Sequence, residues 1–558
     1  MGQPLNQLGD SENVSKAVIR VGIIVDSCFQ PRWVHAIVED IQSSTQASIR
    51  LVIIRDAEQK ASQSFTGFNF LLYSGYSHLD NFKAQLSSDA LERMNLCPLV
   101  SNCDVFKVVP IEEQEVDRFS EQDIDKIRSF NLNVVVYFGA RILKGDVLNV
   151  AKYGVWTHHY GATASQKLAG FWEVMDDAKI TTLSLRVLAE ESENERVLYS
   201  STSALSDRFS VKLNRNELYW KLSVMVMRKL KELHDCGNLT FQSRENLKPD
   251  NPESQRVPGN TCLARPLLRL LRRYLASIWE SRTNFTQWSL AFNFGAPDHG
   301  FQQLFDEARL VIPPSDRFWA DPFPVKAADR YYVFVEECLY ATRKGHIAVM
   351  ELDEEGCWSK PVKVLERNYH LSYPCVFEWA GDYYMIPETL GNRTIELYRS
   401  VSFPLQWEFV KVLIPNINAT DATIMKVENR WWIFANVAQR DFPVDWNELY
   451  LYYADSPTGQ WNPHRENPVK RDARGSRPAG RLFQYEGALN RPAQNASGRY
   501  GYAISLNRVL QLNSEHYAEE EVAKILPREN RDAVGTHTIN RVNELTVWDC
   551  LLRRKRFL

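Results

Sequence analysis

Residues 331–337 read YYVFVEE, and four variants of the same stretch follow: YYMIPE at 383–388, WWIFAN at 431–436, YGYAIS at 500–505 and LTVWD at 545–549. Aromatic and β-branched runs of this length, set between Gly, Pro and Asp turns, are strands of an all-β region. Upstream of each lies one polar residue in a turn-like context: Asp321 in FWADPF, Tyr373 in LSYP, Asp421 in ATDAT, Arg477 in SRPAG and His537 in GTHT. These anchors are 52, 48, 56 and 60 residues apart. Loose repeats of that length suit the four-stranded blades of a five-bladed β-propeller. The innermost strand of a blade starts at the axis, so the five anchors are expected to meet at one mouth of the central channel.

Working outward toward the N-terminus, the texture changes. Residues 18–25 (VIRVGIIV) form the continuous apolar run of a buried parallel strand. A helix-like stretch at 32–41, a second run at 49–54 and a third, NVVVYF, at 133–138 follow. Further strands are expected at 154–159 and 181–188, and one amphipathic helix at 217–233. Alternation of this kind predicts a parallel α/β sheet, with chemistry at the carboxyl ends of its strands. That directs attention to Trp156, Thr157, His158, His159, Tyr160 and Gly161. The domains expected are a disordered leader at 1–16, an α/β domain at 17–235, a linker region at 236–284 and the propeller at 285–558. Within the linker region, 247–260 (LKPDNPESQRVPGN) has loop composition, and 267–280 (LLRLLRRYLASIWE) reads as a basic amphipathic helix. It is expected to pack between the domains with Arg269, Arg272 and Arg273 in water. Peripheral contact with a membrane surface is the other role for such a helix.

Composition bounds the function. The 558 residues carry 66 basic and 69 acidic side chains, a net charge of -3, which gives no basic footprint for nucleic acid. Neither an apolar signal region nor a run of about 18 apolar residues occurs, so no transmembrane segment is expected. The nine cysteines form no CxxC pair. They are expected to be reduced, in the cytoplasm.

Over residues 18–235 the chain resembles the formyltransferase family, through Phe138-Gly139, Ile142-Leu143, Lys152-Tyr153-Gly154 and the strand ending in His159. The resemblance implies transfer of a formyl group from 10-formyltetrahydrofolate to an amine, by an Asn that stabilises the oxyanion, a His that shuttles protons and an Asp that orients it. Those positions fall on Thr157, His159 and Glu193, so the His alone is kept. Over residues 285–555 the chain resembles the N-terminal domain of plant glucosamine inositolphosphorylceramide transferases, in FWADPFPV, HLSYPCVFE, YYMIPET, WWIFANV and SRPAGRLF. More distantly it is similar to the five-bladed arabinanase, xylosidase and fructosidase hydrolases. That likeness implies a base or nucleophile at Asp321 and a pKa-modulating carboxylate at Asp421, with Arg477 at the acid position. Glu388 or Glu337 is then the substitute acid, since hydrolysis needs two carboxyls. Alternatively, Asp321 and Asp421 simply cap turns. Trp319, Tyr373 and Trp379 are the aromatics suited to stacking on sugar rings.

The expectation is a carbohydrate-related transferase: a formyltransferase-like protein modifying an amino sugar in surface-glycan or glycolipid biosynthesis, with a glycan-binding propeller. Its substrate would be a sugar, nucleotide-sugar or glycolipid. A glycoside hydrolase or transglycosidase centred on Asp321 and a non-catalytic glycan-binding protein are the alternatives. Arg477 beside Asp321 and Asp421 is expected to favour their ionised forms, which suits binding of an acidic or phosphorylated glycan.

Overall fold

The computed structural model describes residues 17–56, 68–113, 116–139, 141–161, 168–243, 257–295, 305, 307–438, 447–527 and 532–556. The leader expected at 1–16 and most of the linker expected at 247–260 lie outside the described residues.

Seven strands form the first sheet: β1 (Ile19–Val25), β2 (Ala47–Arg55), β3 (Asp104–Val108), β4 (Val134–Tyr137), β5 (Val155–Tyr160), β6 (Ile180–Val187) and β7 (Arg196–Ala204). Their order is β7-β6-β5-β4-β1-β2-β3. The run from β5 to β3 is parallel, as expected, and β6 and β7 extend it through antiparallel pairings, which makes the sheet mixed. The connection 188–195 is too short for the crossover of about a dozen or more residues that a parallel pair needs.

Both faces of this sheet are covered. α1 (Arg32–Gln42), α5 (Val211–Ser223) and α6 (Met225–Cys236) press Trp33, Ile37, Leu218 and Leu230 onto one face. On the other, Ile124 and Ile127 of α3 (Glu121–Ser129) and Val147 pack against Ile24 and Val135. The single helix expected at 217–233 is two. Ser223 turns its hydroxyl back to the Trp220 carbonyl at 2.6 Å, a bond that competes with the helical ladder, and the chain restarts after Val224.

The second half is a five-bladed propeller. Four blades are four-stranded sheets taken in chain order, beginning with Arg317–Ala327, Ser372–Trp379, Asn418–Val427 and Phe483–Tyr485. The fifth is composite. Its central strand, Leu545–Lys555, pairs with Ile539–Val542 on one side and with Asn284–Phe294 on the other, from Asn284↔Lys555 to Phe294↔Leu545. The ring is thereby stitched shut by strands from its two sequence extremes.

In blades one to three the expected aromatic strand is the second strand of its sheet. Blade four differs: its second strand is Ala488–Asn495, and Ala503–Leu512, which takes up the last three residues of YGYAIS, is the third. Tyr500 and Tyr502 lie before that strand, where Tyr500 packs toward the axis.

The two halves dock edge to blade. Thr202 of β7 donates to Arg471 O at 3.0 Å and accepts from Ala473 N at 2.9 Å, while Gly498 N donates to Lys179 O at 2.9 Å. Below this strip the Arg228 guanidinium grips Glu448, with Nη2 to Oε2 at 2.6 Å. Between the halves in sequence runs α7 (Asn260–Thr283). It lies along α2 (Leu71–Lys83) and the short α4 (Phe171–Met175) of the α/β domain, burying Leu263, Pro266 and Leu270. Its expected position between the domains is refined: the helix packs on the α/β domain, and its last turn reaches the propeller's closing strand through Glu280 and Arg553. The expected exposure of Arg273 is corrected: its Nη2 donates to Val174 O at 2.7 Å and it pairs with Asp177.

Candidate functional site

The anchors of the first three blades are placed by one backbone device. Asp321, Tyr373 and Asp421 have φ of 51°, 45° and 52°, each inside a register shift between the first and second strands. A bulge with one residue in the left-handed region bends the strand start and re-aims the side chain. Here it brings the anchors toward the axis.

The five anchors converge there. Asp321 accepts from Thr538 Oγ1 at 2.6 Å and from Tyr373 N at 3.3 Å, and the His537 Nε2 lies 3.8 Å from its Oδ1. His537 is in turn held by Asp549, which also accepts from its backbone N at 2.8 Å and from Asp321 N at 3.2 Å. On the opposite arc, Asp421 accepts from Arg477 Nε at 2.5 Å and Gln494 Nε2 at 2.6 Å, and its own N donates to Glu388 Oε2 at 3.2 Å. The Tyr373 hydroxyl accepts from Gly480 N at 2.6 Å, closing the two arcs together.

Electrostatics distinguish these carboxyls. Burial, with Asp421, Glu336 and Asp549 nearby, pushes the Asp321 carboxyl up to about 7 against the pull of His537. Burial and Asp421 likewise raise Glu388 well above the usual carboxylate range, with Arg477 opposing. Although burial works against its charge, His537 is carried up to about 9 by Asp549 and Asp321. The expectation that Arg477 would ionise both aspartates is thus corrected: its guanidinium is committed to Asp421. Five carboxyls, Asp321, Glu336, Glu388, Asp421 and Asp549, thus share the axis with two cations, Arg477 paired to Asp421 and His537 paired to Asp549, while burial holds Asp321 and Glu388 toward their neutral forms.

Other expected members fall away from the axis. Glu337 accepts from Trp319 Nε1 at 3.0 Å, His346 Nε2 at 3.0 Å and Arg317 Nη1 at 3.2 Å, a set that holds its carboxyl at about 2 despite burial. It is a structural carboxylate, and Trp319 is buried with it. Trp379 packs on Tyr384, and the Tyr373 ring is fully buried edge-on to Phe323, so neither is a stacking platform. The half-buried aromatics at the axis are instead Trp288, stacked on His537 at 4.2 Å and 13°, and Tyr500, over which the Arg477 guanidinium sits at 5.1 Å.

Sequence reasoning missed Glu336, Gln494, Asp549, Trp288 and Tyr500. Glu336 had a signal. It stands opposite Ala320 as Glu388 stands opposite Ser372 and Asn436 opposite Thr420, so the recurrent strands end on one polar ring. At its rim, the exposed His370 places Nε2 3.1 Å from Glu336 Oε1.

The α/β domain has a smaller cluster. Thr157 and His159 share one face of β5, and Thr157 Oγ1 reaches Tyr137 O at 3.5 Å. His159 Nε2 lies 3.3 Å from Glu195 Oε2, an oxygen that Arg186 Nη1 also contacts at 3.3 Å. Glu193, the expected partner of His159, is exposed in the 3₁₀ turn Ser192–Asn194. The carboxylate beside His159 is instead Glu195, two residues downstream, which is buried against His159 and Arg186. His158 faces the other way, into Trp33 and Phe138.

Residues 310–548 match the family described as "Glucosamine inositolphosphorylceramide transferase 1, N-terminal", and this span contains all five anchors together with Glu336, Glu388 and Gln494. Curated relatives bearing that name include one from Oryza sativa subsp. japonica, 37% identical over 208 residues, covering 37% of this chain and 28% of the relative. The relative from Arabidopsis thaliana is 35% identical over 209 residues, covering 37% and 27%. The matched part thus spans less than a third of those relatives. Among solved structures, the family 117 glycoside hydrolase Zg3597 of Zobellia galactanivorans is similar over 48% of this chain and 90% of its own, at TM-score 0.32 and 13% identity. Glycinamide ribonucleotide transformylase 1 of Symbiobacterium toebii is similar over 41% and 92%, at TM-score 0.28 and 11% identity.

Proposed function

We propose that this chain serves a transferase reaction of glycan or glycolipid biosynthesis, with the propeller axis as the site that recognises the sugar. The observation that carries the reading is the family match over 310–548, which encloses the axial ring of Asp321, Glu388, Asp421, Arg477 and His537. A protonated amino sugar entering the ring would favour ionisation of Asp321 and Glu388, which burial otherwise holds toward their neutral forms, and the half-buried Trp288 and Tyr500 supply apolar faces beside polar groups, the usual make-up of a sugar site. Calorimetric titration tests this on the whole chain with a glucosamine-bearing glycoside, its N-acetylated form and a glucuronic acid glycoside. The free amine is expected to bind best, and Asp421→Asn to weaken it. Equal affinity for all three, or preference for the acid, would sink the reading.

Glycoside hydrolysis is the second reading, favoured by one observation: Asp321, held near 7, can remain protonated close to neutrality and act as an acid. Release of sugar from a defined glycoside, abolished by Asp321→Asn while binding persists, would replace the transferase proposal with it.

Formyl transfer is the narrower form of the first reading. Among the described residues, Thr157 is turned to a backbone carbonyl and His159 is closed against Glu195, which does not present the Asn–His pair that 10-formyltetrahydrofolate needs. If formylation of an amino sugar is nevertheless found, His159→Ala should lower kcat by about 100-fold or more.

A further inference from the structure

α7 buries one face and leaves the opposite one in solvent. At about 100° per residue, Leu268, Leu275 and Trp279 fall within a narrow stripe directly across the helix from the buried Pro266 and Leu270. They are 59%, 56% and 72% exposed, and Leu271 at the stripe's edge is 52% exposed. A helix packed on a soluble domain normally puts polar residues there. The neighbouring helix repeats the inversion: in α2, Leu79 is 60% and Phe82 84% exposed. The two run side by side in the same direction. Asn260 at the start of α7 bonds to Phe68 O and Leu72 N, and Lys83 at the end of α2 reaches Tyr274.

The charge around this apolar face is predominantly basic. Arg265, Arg272 and Arg282 flank the stripe and are exposed, in a helix whose one acidic residue, Glu280, is paired with Arg553 at 2.9 Å. Arg269 reaches Asp176 at 3.6 Å. The basic run Arg553-Arg554-Lys555-Arg556 ends beside α7, with Arg556 N donating to Thr283 O at 2.9 Å. The whole chain is -3, so this cationic rim is a local concentration.

We propose that the joint face of α2 and α7 docks on an anionic lipid bilayer surface. Leu and Trp would enter the interfacial zone while the flanking arginines meet lipid phosphates, as interfacial helices do. No described helix is long and apolar enough to cross a membrane, so the contact lies in the plane of the surface. Charge decides the occupant: a second copy would set arginine rim against arginine rim, whereas anionic headgroups complement it. This inference stands apart from the reading of the propeller and fails separately from it.

The test is co-sedimentation of the full chain with phosphatidylcholine vesicles, with and without phosphatidylserine. Binding is expected with phosphatidylserine and should weaken with added salt. The variant Leu275→Glu/Trp279→Glu and the variant Arg265→Glu/Arg272→Glu should each bind about tenfold less tightly or worse, with unchanged circular dichroism and melting because every altered side chain is exposed. Absence of binding, or binding indifferent to both variants, overturns the proposal. So does a concentration-dependent dimer in sedimentation velocity that the same variants dissolve.

Discussion

Arg477 illustrates how a buried charge ties function to stability at this site. Its guanidinium neutralises Asp421 at the axis, so Arg477→Met leaves a buried carboxylate without its partner and should cost about 3–5 kcal/mol in urea unfolding. His537 gives a pH signature. Its folded pKa is raised to about 9, so the folded state holds a proton that the unfolded state releases above about 6.5. Its stabilising contribution is therefore full below about 6.5 and lost as pH rises through 9. Melting temperature should fall across that window and fall less in His537→Asn. Asp321, raised to about 7, acts in the same direction between about 4 and 7. Among single residues, the anchors were legible because a polar residue before an aromatic strand breaks a strong pattern. Asp549 and Gln494 were not, because an acid or amide inside a strand looks like any solvent-facing position until the partner across the axis is known.

The bulge at the start of each of the first three blades is the element that turns a strand into a site. Asp and Asn tolerate the left-handed region there, whereas a β-branched residue does not. Asp421→Asn and Asp421→Val both remove the charge, yet the valine variant should be less stable by about 1–2 kcal/mol in parallel denaturation curves. At this scale, paired aromatics made the second strands of blades one to three readable. In blade four the corresponding strand, Ala488–Asn495, contains no aromatic residue, so the pattern attached itself to the strand after it. The antiparallel β6 and β7 escaped for a related reason: alternation reveals a strand but not the direction of its neighbour.

Across the whole molecule, the parallel α/β domain and the propeller were legible from texture, but their docking was not, since it rests on the β7 edge and one long-range pair. Glu448→Gln should weaken the grip on the Arg228 guanidinium, which is about nine-tenths buried. Limited proteolysis should then separate the two halves faster, with each half still folded. The composite fifth blade has a further consequence. Blades one to four form from neighbouring segments, but the ring closes only when residues 284–294 meet 545–555, a contact of very large sequence separation and correspondingly slow formation. Asp549 lies in the closing strand and His537 just ahead of it. During translation, then, residues 545–555 must have left the ribosome before the closing strand can pair and the axial ring that includes Asp549 can be completed.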